Sequence, residues 1–73
     1  MAEQPDDLKK LVAVATDLGL SAEIRIKAIK LIGNIGTHGA LLALLDLAAN
    51  EKLTKRERER ALKHARGIVK AGR

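Results

Sequence analysis

The sequence predicts an all-α domain of four helices, arranged as an α-solenoid fragment of two helical hairpins. Four segments with helical hydrophobic periodicity, cap residues at their boundaries and a similarity of the chain to itself at an offset of 33 residues all point to this fold class. A period in the thirties with two helices per unit is typical of α-solenoids. The chain has 73 residues, 47% of them hydrophobic, so it forms one small domain with a limited core.

The first helix is predicted over residues 5–18. Its apolar residues recur at helical spacing: Leu8, Leu11, Val12, Ala15 and Leu18. Pro5 suits a first turn, and Asp6 and Asp7 suit the positive end of a helix dipole. Gly19 stands where a left-handed residue commonly ends a helix, so both ends of this helix are marked.

The second helix is predicted over residues 22–36, with Ser21 as its N-cap. Lys27, Lys30 and Asn34 form a narrow polar wedge, which predicts a helix flanked on two sides. Ile26 and Ile29 are predicted to lie outside the main buried face. That face is expected to contain Ile24, Ala28, Leu31, Ile32 and Ile35.

The third helix is predicted over residues 39–50 and is almost entirely apolar. Its outward side is expected to carry Leu42, Ala43, Asp46 and Ala49. Its inner side is expected to carry Leu41, Leu44, Leu45 and Ala48.

The fourth helix is predicted over residues 54–71 and ends at Gly72. Thr54 and Glu57 fit a capping box, in which the hydroxyl accepts from the amide of residue 57 and the carboxylate reaches back to the cap amide. Its buried face is expected to contain Ala61, Leu62, Ala65, Ile68 and Val69.

The internal similarity spans two helices and a cap. An offset of 33 residues aligns Leu8 with Leu41, Leu11 with Leu44, Val12 with Leu45, Ser21 with Thr54, Arg25 with Arg58, Ala28 with Ala61 and Ile35 with Ile68. Leu, Ala and Lys are common residues, so four helices without a true duplication are the alternative.

Residues 24–36 read IRIKAIKLIGNIG, which resembles the first-helix pattern of short HEAT-like repeats of the phycobilisome-lyase type. Residues 40–45 resemble the second helix of such a repeat, and residues 57–69 resemble a degenerate first helix that keeps Arg58, Ala61 and Ile68. The resemblance implies a non-enzymatic protein-interaction or scaffold module with a half repeat at each end. Arg25 would bridge neighbouring units or be a solvated arginine at a helix start.

Catalytic and metal-binding patterns are scarce. The chain has no Cys, and His38 and His64 lie in different predicted elements without metal-ligand spacing. We therefore expect no enzyme activity, cofactor, metal or small-molecule substrate. The longest apolar run, residues 40–45, is too short to span a bilayer, and the acidic N-terminus is unlike a signal peptide, so a cytoplasmic protein is expected. Plentiful Lys, Arg and Glu with little Asn and Gln lean towards a thermophile.

Positive charge is concentrated in the fourth helix. Residues 1–50 have a net charge of −1 and residues 51–73 a net charge of +6. A surface for an acidic protein or for nucleic-acid phosphates is predicted at Lys55, Arg56, Arg60, Lys63, Arg66, Lys70 and Arg73, with a merely solvated face as the alternative. The chain has no aromatic residue, so bases cannot stack on it and only phosphate or shape recognition is open to it.

The predicted function is protein–protein interaction, with nucleic-acid binding through the fourth helix as the alternative. The half repeats and the small core also predict a homodimer, and the outward residues Leu42 and Ala49 are its candidate self-association surface. A designed or excised repeat fragment without a function of its own is a third interpretation.

Overall fold

The computed structural model describes residues 5–72, with side chains from Asp7 to Gly72. It contains four helices: α1 (Pro5–Ala15), α2 (Ala22–Ile35), α3 (His38–Ala48) and α4 (Lys55–Lys70). The all-α prediction is confirmed, and each predicted helix is present. Side-chain positions of Pro5, Asp6 and Arg73 lie outside the described part of the chain.

Helix α1 ends at Ala15, three residues before the predicted end. The reason is local hydrogen bonding. The amide of Gly19 donates to Oδ1 of Asp17 at 2.9 Å, and the Thr16 hydroxyl donates to the carbonyl of Val12 at 2.9 Å. Asp side chains that bond to the backbone two residues later form turns in preference to helix, so Leu18 lies in the connection and is exposed.

Each of the other three helices begins at a hydroxyl cap. Ser21, Thr37 and Thr54 accept hydrogen bonds from the amides of Ile24, Ala40 and Glu57, at 3.3, 3.1 and 3.2 Å. Such caps satisfy one of the free amides at a helix start. The predicted caps Ser21 and Thr54 are confirmed. Between α2 and α3, Gly36 has a φ of 70°, a left-handed conformation that glycine adopts without strain.

Helices α2 and α4 lie at the centre of the packing. Helix α1 packs on α2, α3 packs on α4, and α2 packs on α4, whereas α1 and α3 barely touch. The core is formed by eleven side chains from all four helices and the α3–α4 connection: Ala15, Ala28, Ile29, Ile32, Ala40, Leu44, Leu47, Leu53, Ala61, Ala65 and Ile68. The molecule is therefore two helical hairpins joined along α2 and α4.

The predicted buried face of α2 is correct only in part. Ile29, predicted outside that face, is completely buried, whereas Ile24 and Leu31 are 46% and 49% exposed. Ala28 and Ile32 are buried as predicted. The reason is the position of α4, which covers the side of α2 that contains Arg25 and Ile29 and leaves the opposite edge open.

The predicted inner faces of α3 and α4 are confirmed at their centres, but the residues predicted at their edges are exposed. Leu44, Ala61, Ala65 and Ile68 are buried as predicted. Leu45, Leu62 and Val69 are predicted to lie inside, but all three are exposed, because none of the four described helices packs against that side of the α3–α4 hairpin. The outward positions of Leu42, Asp46 and Ala49 are confirmed, whereas Ala43 is half-buried against the core.

Candidate functional site

A buried ion pair joins α2 to α4. The guanidinium of Arg25 donates from Nε to Oε1 of Glu57 at 3.1 Å and from Nη2 to Oε2 at 2.9 Å. Arg25 is 7% exposed and Glu57 is completely buried. Nη1 of Arg25 also donates to the backbone carbonyls of Asp17 and Leu20, which ties the α1–α2 connection to the same group. Arg25 is therefore not a solvated arginine, because it joins α2 to α4 and to the α1–α2 connection.

This pair changes the proton affinity of both partners. The hydrogen bond from Arg25 lowers the pKa of Glu57, and a smaller contribution comes from Thr54. The hydrogen bond to Glu57 raises the pKa of Arg25. Both shifts favour the charged forms, so the pair is ionised at neutral pH.

The predicted capping box is present, since a hydrogen bond from the Thr54 backbone contributes to the lowered pKa of Glu57. The Thr54 hydroxyl accepts from the amide of Glu57, as predicted. The two carboxylate oxygens of Glu57, however, both accept from Arg25, so this residue joins two helices as well as contributing to a cap. The prediction missed this because a capping box is a local pattern, and the arginine is 32 residues away in the sequence.

Two turns further along α4, His64 packs directly against Gly33 of α2. A Cβ atom added at Gly33 would lie 2.9 Å from Cβ and Nδ1 of His64, a distance that real side chains avoid. Burial lowers the pKa of His64, and the nearby charges of Lys63, Arg60 and Lys30 lower it further. The contact between α2 and α4 therefore depends on glycine at this position.

An apolar groove of about 540 Å³ lies between α3 and α4, away from the contact of α4 with α2. Its walls include Leu41, Leu45, Leu62 and Val69. Its basic edge is formed by Lys63, Arg66 and Lys70. A smaller groove of about 220 Å³ adjoins it at Leu62 and is lined by Arg58, together with Ala48, Lys55 and Glu59. We refer to the seven residues of the larger groove, together with Arg58, as the α3–α4 face.

Some residues of the α3–α4 face lie 33 positions after the residues of α2 that α4 covers. Arg58 corresponds to Arg25, Leu62 to Ile29, and Arg66 to Gly33. Arg25 and Ile29 are buried, Leu62 is 38% exposed and Arg66 is exposed. Among the described residues, Arg58 Nε is a buried side-chain atom without a hydrogen-bond partner. The internal similarity thus relates a covered surface to an open one.

The predicted basic residues of α4 are all on the surface, as far as they are described. This holds for Lys55, Arg56, Arg60, Lys63, Arg66 and Lys70, while Arg73 lies outside the described residues. Three of them line the α3–α4 face, and Arg56, Lys63 and Lys70 lie away from the buried Ala61, Ala65 and Ile68. Basic and apolar groups therefore share one surface, a combination that the helical periodicity of the sequence does not predict.

The candidate self-association residues lie elsewhere. Leu42 lines a separate groove between α1 and α3 together with Leu8, Val12 and Leu47, and Ala49 is exposed at the end of α3. Asp46 and Lys9 also line this groove, so it is less uniformly charged than the α3–α4 face.

Within residues 5–72, no group of three or more His, Asp or Glu side chains is placed to hold a metal ion. Over the same residues, each helix is too short or too polar to cross a bilayer. Comparisons of the chain with family models, curated proteins and solved structures find no match. The resemblance to HEAT-like repeats therefore stands on the residues quoted for it.

Proposed function

We propose that this chain is a non-enzymatic protein-interaction module of HEAT-like type that binds a helical partner on the α3–α4 face. The observation that supports this is the exposure of Leu45, Leu62 and Val69 along one apolar groove. Exposed apolar surface that is continuous and edged by polar groups is typical of sites for protein partners. The solenoid arrangement belongs to the same proposal, since its open end would be this face.

The position of the groove supports a helix as the partner. At the corresponding position one unit earlier, the side of α2 that carries Ile29 is covered by α4. A surface with the same helix-start cap and the same spacing of Arg and apolar side chains can receive a helix in a similar way.

The experiment is a selection of binders from a displayed library of random helical peptides, followed by mapping of the bound face through backbone amide chemical shifts. We expect selected peptides to perturb amides of α3 and α4 and to lose binding when Leu62 is replaced by Asp. Leu42→Asp is the matched control, because Leu42 is also exposed but lies in the other groove. Peptides that bind Leu62→Asp as well as the parent protein would contradict the proposal.

Nucleic-acid binding is the second candidate function, supported by the exposure of Arg56, Lys63 and Lys70 in one row of α4. Replacing all three by Gln leaves the fold intact, because exposed charges contribute little to stability. If duplex DNA or structured RNA is bound, the slope of log affinity against log salt falls by about 3 units in this variant. An unchanged slope would exclude phosphate contacts by these three residues.

Self-association through Leu42 and Ala49 is a further form of the interaction proposal. Sedimentation equilibrium of the parent and of Leu42→Asp tests it: the parent should exceed the monomer mass of 7.9 kDa and the variant should not. A parent that sediments as a monomer at high concentration would remove the homodimer from the proposal.

A further inference from the structure

The covered junction between α2 and α4 indicates what chemistry the open α3–α4 face requires. At the junction, Glu57 meets Arg25 and His64 meets Gly33, two turns apart along α4. The small side chain of Ala61 lies between them in the sequence and is completely buried. A helix that packs on this side of α2 is thus recognised at two of its own positions, seven residues apart, as α4 is at Glu57 and His64.

The α3–α4 face repeats the first of these contacts without its partner. Arg58 stands 33 residues after Arg25, at the same position relative to its helix cap, and its Nε is buried without an acceptor. A buried donor that lacks a partner is costly, and a carboxylate that pairs with the same guanidinium would offset that cost. A glutamate at the start of an incoming helix would meet Arg58 as Glu57 meets Arg25.

The position that corresponds to the Gly33–His64 contact carries a different residue in α4, and this difference defines the partner further. Where α2 has Gly33, α4 has Arg66, which is exposed and lines the groove together with Lys63 and Lys70. A histidine cannot approach closely here, since the glycine that accommodates it is replaced by a long cationic side chain. A carboxylate at this position of the partner would instead pair with Arg66.

We propose that the α3–α4 face binds an acidic amphipathic helix with two carboxylates seven residues apart, the first held by Arg58 and the second by Arg66. This inference rests on the proposed function and names the class of partner. The apolar residues Leu45, Leu62 and Val69 contact the side of that helix between the carboxylates. The basic edge repels cationic helices that fit the groove by shape and gives acidic helices an advantage over neutral ones.

A second copy of this chain fits the face less well. Two copies that join through the same face would bring Lys63, Arg66 and Lys70 of each together, and like charges repel. A copy that docks through the open edge of its α2 would present Ile24 and Leu31, which stand 33 residues before Glu57 and His64. Neither carries the carboxylate that Arg58 and Arg66 require.

The test uses a capped synthetic peptide of the length of α4, 16 residues, built on alanine with a Thr cap. It carries glutamate at the positions of Glu57 and His64 and isoleucine at that of Ile68, and its control has glutamine in place of both glutamates. Each peptide is titrated into the full chain, and binding is followed by amide chemical shifts. We expect the acidic peptide to bind at least about tenfold more tightly than its glutamine control.

A double-mutant cycle then assigns the contacts. Arg58→Gln should weaken the acidic peptide by about tenfold and have no effect on a peptide that lacks only the first glutamate. Arg66→Gln should likewise weaken the acidic peptide by about tenfold and have no effect on a peptide that lacks only the second glutamate. Arg60→Gln is the matched control, because Arg60 is an exposed cation of α4 outside the groove, and it should change the affinity little.

The outcomes separate this inference from the proposed function. If both peptides bind the α3–α4 face equally, the face is an interaction site, but the proposed requirement for two carboxylates is wrong. If neither peptide binds at millimolar concentration, both proposals fail. If the acidic peptide binds but Arg58→Gln and Arg66→Gln do not weaken it, the attraction is unspecific and the two assigned contacts are overturned. Far-UV circular dichroism of each variant confirms that the fold is retained.

Discussion

The buried side of α2 and the open side of α4 carry related residues in different surroundings. On α2, Arg25 and Ile29 are buried under α4. On α4, none of the described helices lies over the corresponding Arg58 and Leu62, and Leu62 is exposed. The caps at the starts of both helices have the same geometry, with a hydroxyl that accepts from the third amide.

The difference shows that burial of these positions is decided by the neighbouring helix. A side chain at the same place in two similar helices is a core residue in one and a surface residue in the other. Substitutions at matched positions should therefore have unequal effects on stability. Since the chain has no aromatic residue, far-UV circular dichroism is the suitable measure of unfolding.

The largest difference is expected for the two arginines. Arg25→Met leaves the completely buried carboxylate of Glu57 without its cation, so we expect it to destabilise the domain more than any single change at Arg58, Ile29 or Gly33. Arg58→Met removes no observed ion pair and should change the urea midpoint little. Equal losses for the two variants would contradict the comparison.

A double variant sharpens this test. Arg25→Met combined with Glu57→Leu removes both charges and fills the space with apolar groups, so it should recover much of the stability lost in Arg25→Met. A double variant that is as unstable as Arg25→Met would mean that the hydrogen bonds of Arg25 to the Asp17 and Leu20 carbonyls matter more than the ion pair.

The aliphatic pair should show the next largest difference. Ile29→Ala opens a cavity in the core and should cost about 2–5 kcal/mol of unfolding free energy. Leu62→Ala removes a side chain that is already partly in water and should cost less than about 1 kcal/mol. Urea denaturation of both variants measures the difference.

Two helical glycines extend the comparison to the backbone. Gly33→Ala places a methyl group against His64 and should destabilise the domain by about 1–3 kcal/mol. Gly67→Ala meets no atom within 4 Å and should stabilise α4 by roughly 0.5–1 kcal/mol, because alanine favours helix. Opposite signs are the expected result, and a stabilising Gly33→Ala would show that α2 and α4 lie further apart than described.

The smallest effect concerns pH. Because the pKa of folded His64 is lowered, the unfolded chain binds more protons, and stability should decrease as the pH falls through the unfolded value of about 6.5. Lys63, Arg60 and Lys30 surround this histidine, and they disfavour its protonated form. His64→Gln should flatten the dependence of the urea midpoint on pH between about pH 7 and about pH 5.

His38→Gln is the control for that measurement, because His38 is exposed at the start of α3. A profile that is unchanged in His64→Gln would assign the acid sensitivity to other groups. The lowered pKa of Glu57 acts in a separate range: its stabilising effect is lost only as the pH falls below the ordinary range of carboxylates and through its folded pKa.

The sequence by itself determined the four helices, their approximate limits and two of their caps. These features depend on contacts within a few residues, such as the bond from the Glu57 amide to Thr54 or the left-handed turn at Gly72, and local patterns report them. It also placed the cations of α4 on the surface, since they lie opposite small apolar residues on one helix.

Only the tertiary structure decided which side of each helix is covered. Ile29 and Leu62 have similar surroundings in the sequence, yet one is in the core and the other is exposed, because α4 lies over α2 and nothing described lies over that side of α4. The partner of Glu57 was equally out of reach, since its local pattern is that of a cap and Arg25 is 32 residues away. Contacts between distant segments depend on the direction from which a neighbouring helix packs, and the periodicity of one helix does not contain that direction.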